Sequence, residues 1–278
     1  MFHIPDDTLA RLIAEDLPHG DLTTRSLGLA GPARLEMRAR GAMTLCASEE
    51  AARIFGLLGA RAEALMPSGA SLCPDALVLT AEGPAEAILA GWKVAQVLVE
   101  WCSGIATAAA GVVAAARSVR PDIVVACTRK PAPLTRALSL KAVTMGGAAI
   151  HRTGLSESVL LFPEHRALAP SVSLADQVAR LKARCPERRI VVEAASTPDA
   201  LEAAEAGADV IQLEKFAPEA VTAFAALLPA NWRGTLAAAG GITAANAAHY
   251  AGSGAAVLVT SWPYTAPPAD ISVRIRPA

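Results

Sequence analysis

RIVVEAASTPDALEAAEAGADVIQLE, residues 189–214, sets two short apolar runs, RIVVEA and DVIQLE, either side of a helix-like stretch over 198–206. Continuously apolar runs of four to six residues mark strands buried on both faces of a parallel sheet. A strand, a helix and a second strand in such close order is a βαβ unit, whose crossover is right-handed. The same grammar extends outward in both directions. DIVVACT, GAAIH and SVLLF precede it, and TLAAAGG and AAVLVTS follow, with further helix-like stretches at 174–183, 218–228 and 244–251. Such repetition gives either a doubly wound sheet or a closed barrel, and seven runs at this spacing favour the barrel. The fold class is therefore α/β, with a barrel domain over 111–265.

The residues before it read differently. Residues 1–110 form a mixed α+β unit, and PPADISVRIRPA, after two prolines, supplies a short alternating strand (tail 266–278) that returns to it. Asp6 or Asp7 caps a first helix bearing Leu9, Leu12 and Ile13 on one face. EDLPHGDLTT, 15–24, is expected as an ordered loop, because Pro18 and Gly20 break the pattern. A strand-like run covers 33–47. A second helix over 48–59 is expected to bury Ile54, Leu57 and Leu58. Short strands are expected near 62–66, 77–81 and 85–89, punctuated by Pro67-Ser68-Gly69 and Gly83-Pro84.

Composition excludes several classes. A formal net charge of −1 argues against general affinity for nucleic acid or an anionic membrane surface. The five cysteines are odd in number, scattered, and show no CxxC or Cys/His metal spacing, so reduced thiols in the cytoplasm are the plain reading. MFHIPDD has neither the basic nor the apolar region of an export signal. VAQVLVEWCSGIATAAAGVVAAA, 94–116, is long and apolar enough to suggest a membrane span. Gln96 and Glu100 lie inside it, and a carboxylate mid-span costs roughly 2.5–3.5 kcal/mol even on lenient scales. One or two buried helices are the expectation.

The working face of a β/α barrel lies at the C-terminal ends of its strands. Those ends carry Arg129-Lys130, His151-Arg152, Phe162, Glu193, Glu214 and Ala239-Gly240-Gly241. Paired cations at strand ends suit a small, multiply anionic substrate better than they suit a solvated helix face. Glu193 and Glu214 interrupt or close apolar strands, and a buried carboxylate without a partner is expensive. These two should meet a metal, a cation or a charge-developing substrate, the competing reading being structural pairing with Arg129 or Arg152. Gly240-Gly241, before Ile242-Thr243 and a helix, offers backbone N–H groups for a phosphate.

Over nearly its whole length the chain resembles the quinolinate phosphoribosyltransferase family, most closely its ModD branch, linked with molybdenum transport. EDLPHGDLTT, WCSGIAT, TRK, GGAAIHRTGLSESVLLFPEH, VVEA, GADVIQLE and AAGGIT stand in the family's order. The resemblance implies a type II phosphoribosyltransferase: an α+β N-terminal domain and a seven-stranded α/β barrel. It implies phosphoribosyl pyrophosphate (PRPP) as donor, Mg2+, a small carboxylated acceptor, and a homodimer in which Lys93 reaches the neighbouring subunit's site. By the same resemblance Arg129, His151 and Arg152 hold the acceptor's carboxylates, and Lys130 faces the bound substrates. Glu193 and Glu214 lie near the ribose and the metal-bound pyrophosphate. Ala239, Gly240, Gly241 and Ser261 fall on phosphate positions.

The chain departs from the family's pattern where acceptor choice is decided. The family's lysine in the strand of SVLLF is Phe162 here, its cross-dimer arginine is Lys93, and its LDN acid is Glu214. Its SGGI serine is Ala239, and a glycine near phosphate is Ser261. Exchanging a cation for a phenyl ring disfavours two adjacent carboxylates, so the expected acceptor carries one, or is a different heterocycle. Competing readings are a full quinolinate enzyme of NAD biosynthesis, a silent anion-binding relative serving molybdate transport, and a barrel aldolase using Lys130 as Schiff base.

Overall fold

The computed structural model describes residues 3–278; Met1 and Phe2, which open the MFHIPDD start, lie outside the described residues. The chain divides into two compact units. The first takes residues up to Ala110, Ala132–Gly147 and Pro263–Ala278, and the second takes Gly111–Pro131 and Ala148–Trp262.

In the first unit, β1 (Pro32–Ala39) alternates as a half-buried strand must, with Ala33, Leu35, Met37 and Ala39 inward. It pairs antiparallel with β5 (Leu77–Pro84) on one side and with β13 (Ile271–Pro277), the C-terminal tail, on the other. β3 (Arg61–Ala64) completes this four-stranded sheet beyond β5, while β2 (Met43–Thr44) and β4 (Ser71–Leu72) form a separate pair. The strand-like run over 33–47 is thus two strands broken at 40–42. Helix α1 (Asp6–Asp16) buries Leu9, but its N-cap is Pro5 with no side-chain cap, so Asp6 and Asp7 sit inside the first turn. Half of the expected loop over 15–24 is helical: Asp21 accepts a hydrogen bond from Thr24 N and caps α2 (Leu22–Leu27). Helix α3 (Ser48–Leu57) buries Ala51, Ile54 and Phe55, whereas Leu57 is 45% exposed.

The strand expected at 85–89 is the opening of α4 (Ala85–Arg117), a single 33-residue helix. Pro84 closes β5, and the following Ala, Glu and Leu residues have high helix propensity, which outweighs a short apolar run. By length and composition α4 could cross a membrane, yet 61% of its most apolar window is buried in protein. Its two mid-helix polar residues clamp the tail: Gln96 donates to Ile271 O (2.8 Å), and Glu100 accepts from Gln96 (2.9 Å) and Ile271 N (3.1 Å). A Cβ at Gly104 would stand 2.3 Å from Pro267 O, so only glycine lets the tail pass here.

The sequence reading leaves 132–147 in the barrel domain; the compact unit takes it with residues up to Ala110 because of α5 (Arg136–Met145). This helix buries Leu138, Leu140, Ala142 and Val143 together with Lys141. Lys141 Nζ lies 2.5 Å from Glu50 and 3.0 Å from Glu49. Burial pushes the ammonium's pKa down, but its bonds to the two carboxylates outweigh that and hold it raised.

The second unit is a seven-stranded parallel sheet in the order β7 (Ala149–Ile150), β6 (Val124–Cys127), β12 (Val257–Thr260), β11 (Thr235–Ala239), β10 (Val210–Glu214), β9 (Ile190–Ala194) and β8 (Val159–Leu161). Helices α6 (Pro163–Ala167), α7 (Leu174–Arg184), α8 (Thr197–Glu205), α9 (Pro218–Leu227) and α10 (Ala247–Ala251) alternate with the later strands. Ser173 and Ser196 cap α7 and α8. The expected runs are all strands, but the ladder is open between β7 and β8. After two residues of β7 the chain turns away, in a loop closed by the Glu157 carboxylate, which accepts from Thr153 N and from Gly154 N (3.0 Å).

Lys141→Met leaves Glu50, whose side chain is 4% exposed, as an uncompensated buried charge. Urea unfolding should show a loss of roughly 3–5 kcal/mol. Glu50→Gln in the same chain should restore more than half of it.

Candidate active site

Parallel pairing puts partners in register on one face of a sheet. Glu193 on β9 is opposite Gln212 on β10, and Gln212 is opposite Ala237 on β11. Glu214 and Ala239 pair one pleat further toward the strands' C-terminal ends. Val191, Val210, Thr235, Ala237 and Val257 line a cavity of about 340 Å3 on the same side, with His151 and Glu157 at its wall. Glu187, Arg188 and Arg189, just before β9, also line this cavity, which therefore opens toward the strands' N-terminal ends and is lined by neither acid. A wider groove, about 720 Å3, lies at the strands' N-terminal ends near Trp232, but Lys182 and Arg189 there are engaged by Asp209 and Thr235.

Neither acid is in an ion pair among the described residues. Gln212, buried in the middle of β10, donates its Nε2 to Glu193 (2.8 Å), and its own Oε1 is buried without a partner. Burial and then the charge of Glu214 raise the Glu193 pKa, while the Gln212 hydrogen bond and Lys130 pull it back. Glu164, in the first turn of α6, adds to the upward push. No ion pair within 4.0 Å involves either acid among the described residues, so structural pairing with Arg129 or Arg152 is not what holds them.

The cations gather on the β6–β8 side. Arg152 is 6% exposed; its Nε donates to Gly154 O (3.1 Å), and its Nη1 is buried with no partner. Its guanidinium lies 5.9 Å from the Phe162 ring centroid. Burial and the nearby Arg129 charge lower its pKa, opposed by Glu157. Burial, then Arg152, also lowers the pKa of His151, which favours neutral imidazole at pH 7. Arg129, half-buried, and Lys130, exposed, follow β6 and have no hydrogen bond or ion pair among the described residues.

Gly240 and Gly241 follow β11 at φ +92° and +71°. The helix expected to open at 244 starts only at Ala247, because Asn246 accepts from Thr243 N (2.8 Å) and donates to Gly241 O (3.0 Å), holding 241–246 as a loop. The diglycine amides therefore belong to a turn rather than a helix N-terminus. At the end of β12, Ser261 Oγ lies 2.5 Å from Thr128 Oγ1. Lys93 stands in the first unit, its Nζ 4.1 Å above the Trp92 ring and 2.9 Å from Gln96 Oε1.

Sequence reading missed Gln212, Glu164, Thr128 and Lys215. Gln212 did carry a signal, as a polar residue in the centre of an apolar strand. Lys215 follows Glu214 with φ +60°, a backbone feature that no residue type announces.

The two carboxylates, without a third acidic, cysteine or histidine ligand grouped with them among the described residues, do not form a protein cage for a metal. They fit Mg2+, which typically takes one or two carboxylates and completes its shell with substrate phosphates and water.

Comparison with known proteins agrees with this arrangement. Residues 21–103 match the N-terminal domain model of quinolinate phosphoribosyl transferase, and residues 105–274 match its C-terminal domain model. A Rhodobacter capsulatus protein named pyrophosphorylase ModD is 62% identical over 89% of this chain and 96% of its own length. Human nicotinate-nucleotide pyrophosphorylase (carboxylating) is 34% identical over 98% of this chain and 93% of its own. The crystal structure of NadC from Streptococcus pyogenes superposes with a TM-score of 0.88 at 27% identity, covering 98% of each chain. With both halves matched in order, the chain belongs to the quinolinate phosphoribosyltransferase family and is an enzyme of the pentosyltransferase kind.

Proposed function

We propose that this enzyme transfers phosphoribose from PRPP to a small heterocycle bearing one carboxylate and releases pyrophosphate. One observation carries the acceptor assignment. Arg152 is buried with an unpaired Nη1, and the side chain facing it from the end of β8 is the Phe162 ring rather than a second cation. A buried guanidinium nitrogen without a partner is costly, and a carboxylate oxygen removes that cost. Arg129 and neutral His151 add donors on the same side. The phenyl ring offers a second carboxylate nothing, and leaving such a group unpaired costs several kcal/mol.

Transfer from PRPP develops positive charge at the anomeric carbon as pyrophosphate leaves. Glu193 and Glu214, fixed on neighbouring strands, stabilise that charge without reorganising. Gln212 is the hydrogen-bond partner that fixes Glu193. Bound Mg2+, held by Glu193 and Glu214 with the donor's phosphates, would supply charge neutralisation for the leaving group. Lys130 and the amides of Gly240 and Gly241 meet departing phosphate oxygens. No nucleophilic serine or cysteine is required.

This reading includes a cytoplasmic homodimer in which Lys93 serves the neighbouring site. An exposed apolar groove of about 490 Å3 beside Lys93, formed by Leu12, Val94, Val97 and Trp101, supports it. The quinolinate reading retains support from the 34% identity to the human pyrophosphorylase. Lys130 is exposed beside Arg129, not the desolvated amine of a Schiff-base aldolase.

Pyrophosphate release with Mg2+ and PRPP should be at least 10-fold faster, as kcat/KM, with a pyridine monocarboxylate than with quinolinate, a ratio within reach of one lost ion pair. Efficient CO2 release from quinolinate would overturn the acceptor assignment. Chelating the metal should abolish turnover with every acceptor. Gln212→Leu should lower kcat by roughly 10- to 100-fold with little change in either KM, since the hydrogen bond it removes orients Glu193 rather than substrate.

A further inference from the structure

The geometry points to Lys215 as a further phosphate-binding residue, which grips the pyrophosphoryl end of the donor beside Gly240 and Gly241. The inference rests on the phosphoribosyl-transfer reading above.

Lys215 is the first residue after β10 and has φ +60°, a left-handed conformation that a side chain with a Cβ adopts only under constraint. The constraint is visible. Lys215 N donates to Ala239 O at 2.7 Å, turning the chain at the end of β10 toward the end of β11. The side-chain stem then runs against the diglycine. A Cβ added to Gly240 would stand 2.8 Å from Lys215 Cγ, 3.0 Å from Lys215 N and 3.2 Å from Glu214 Oε1. Two neighbouring strand ends are thus shaped around the root of one lysine, and Gly240 is glycine as much for that approach as for its own φ of +92°.

Its tip is free. The chain has five lysines, Lys93, Lys130, Lys141, Lys182 and Lys215. Lys141 and Lys182 are in ion pairs, and Lys93 is bonded to Gln96 and lies over Trp92. Lys130 and Lys215 are the two whose side chains make no hydrogen bond, ion pair or ring contact among the described residues. Both are exposed, and both follow barrel strands at their C-terminal ends. Ordinary surface lysines have no reason to be sorted in this way. Lys215 also stays clear of Glu214, the residue beside it in sequence, so its charge is left for something the protein does not itself contain.

An ammonium on a flexible stem is a point charge that suits phosphate, whereas the planar fork of arginine suits carboxylate. The Arg129–Arg152 side already has that fork. Lys215 stands at the β10–β11 side, two strands from Phe162 on the sheet, and is therefore assigned to the donor rather than the acceptor.

The test uses the full chain with Lys215→Met, Lys215→Arg and Lys215→Gly. Calorimetric titration with Mg2+ and inorganic pyrophosphate, without acceptor, should show roughly 10- to 100-fold weaker binding for Lys215→Met and Lys215→Gly, about what one charge-assisted hydrogen bond is worth. Lys215→Arg should recover most of it. In turnover, KM for PRPP should rise in parallel while KM for the acceptor stays within twofold. Lys215→Gly, which relieves the left-handed strain, should melt no lower than the wild type and still lose affinity, separating ligand contact from stability. Pyrophosphate affinity unchanged in a folded Lys215→Met, or a rise confined to the acceptor's KM, overturns the assignment. A wild type that binds neither pyrophosphate nor PRPP would instead overturn the phosphoribosyl-transfer reading itself.

Discussion

Two carboxylates on adjacent barrel strands repel one another, and the barrel holds them there regardless. Burial and the charge of Glu214 both raise the pKa of Glu193, and the compensation comes first from one neutral amide, Gln212, at 2.8 Å, and then from the charge of Lys130. A structural role would be served better by pairing either acid with Arg129 or Arg152, which sit on the same rim. Keeping them apart costs stability in the free protein. The cost makes sense when a cation, or a carbon becoming one, occupies the space between them during the reaction.

The rest of the rim follows from that restraint. Cations placed close to the acids would neutralise them, so they are distributed by strand. Arg129, His151 and Arg152 occupy the β6–β7 ends, with the guanidinium of Arg152 turned onto Phe162 and Gly154. Lys215 follows Glu214 directly, yet its left-handed backbone sends its stem against Gly240. Under the proposed phosphoribosyl transfer, this separation of charge would set an acceptor at one side and a departing anion at the other.

Much of this was legible in the sequence, for a physical reason. A strand buried on both faces has no place for a charge, so Glu193 in RIVVEA and Glu214 in DVIQLE announce themselves, as do cations at the ends of CTRK and AIHR. All seven runs of the barrel are strands on the same grounds. What failed was what depends on partners far along the chain. Residues 85–89 read as a strand in isolation and are the first turn of α4. Residues 132–147, read with the barrel and spanned by the C-terminal family model, group with the first compact unit, where Lys141 meets Glu49 and Glu50, about 90 residues earlier. The open seam between β7 and β8 was equally invisible, since it follows from a loop closed by Glu157.

The two residues that reading overlooked most consequentially, Gln212 and Lys215, show why a site is less legible than a fold. A fold is set by periodicity, which averages over many positions. A site is set by single atoms whose meaning appears only when their neighbours are known. Gln212 matters because register places it opposite Glu193, and Lys215 matters because Gly240 makes room for it. On the proposed reading, Phe162 bears on the acceptor, while the acids, the diglycine and Lys215 bear on the donor.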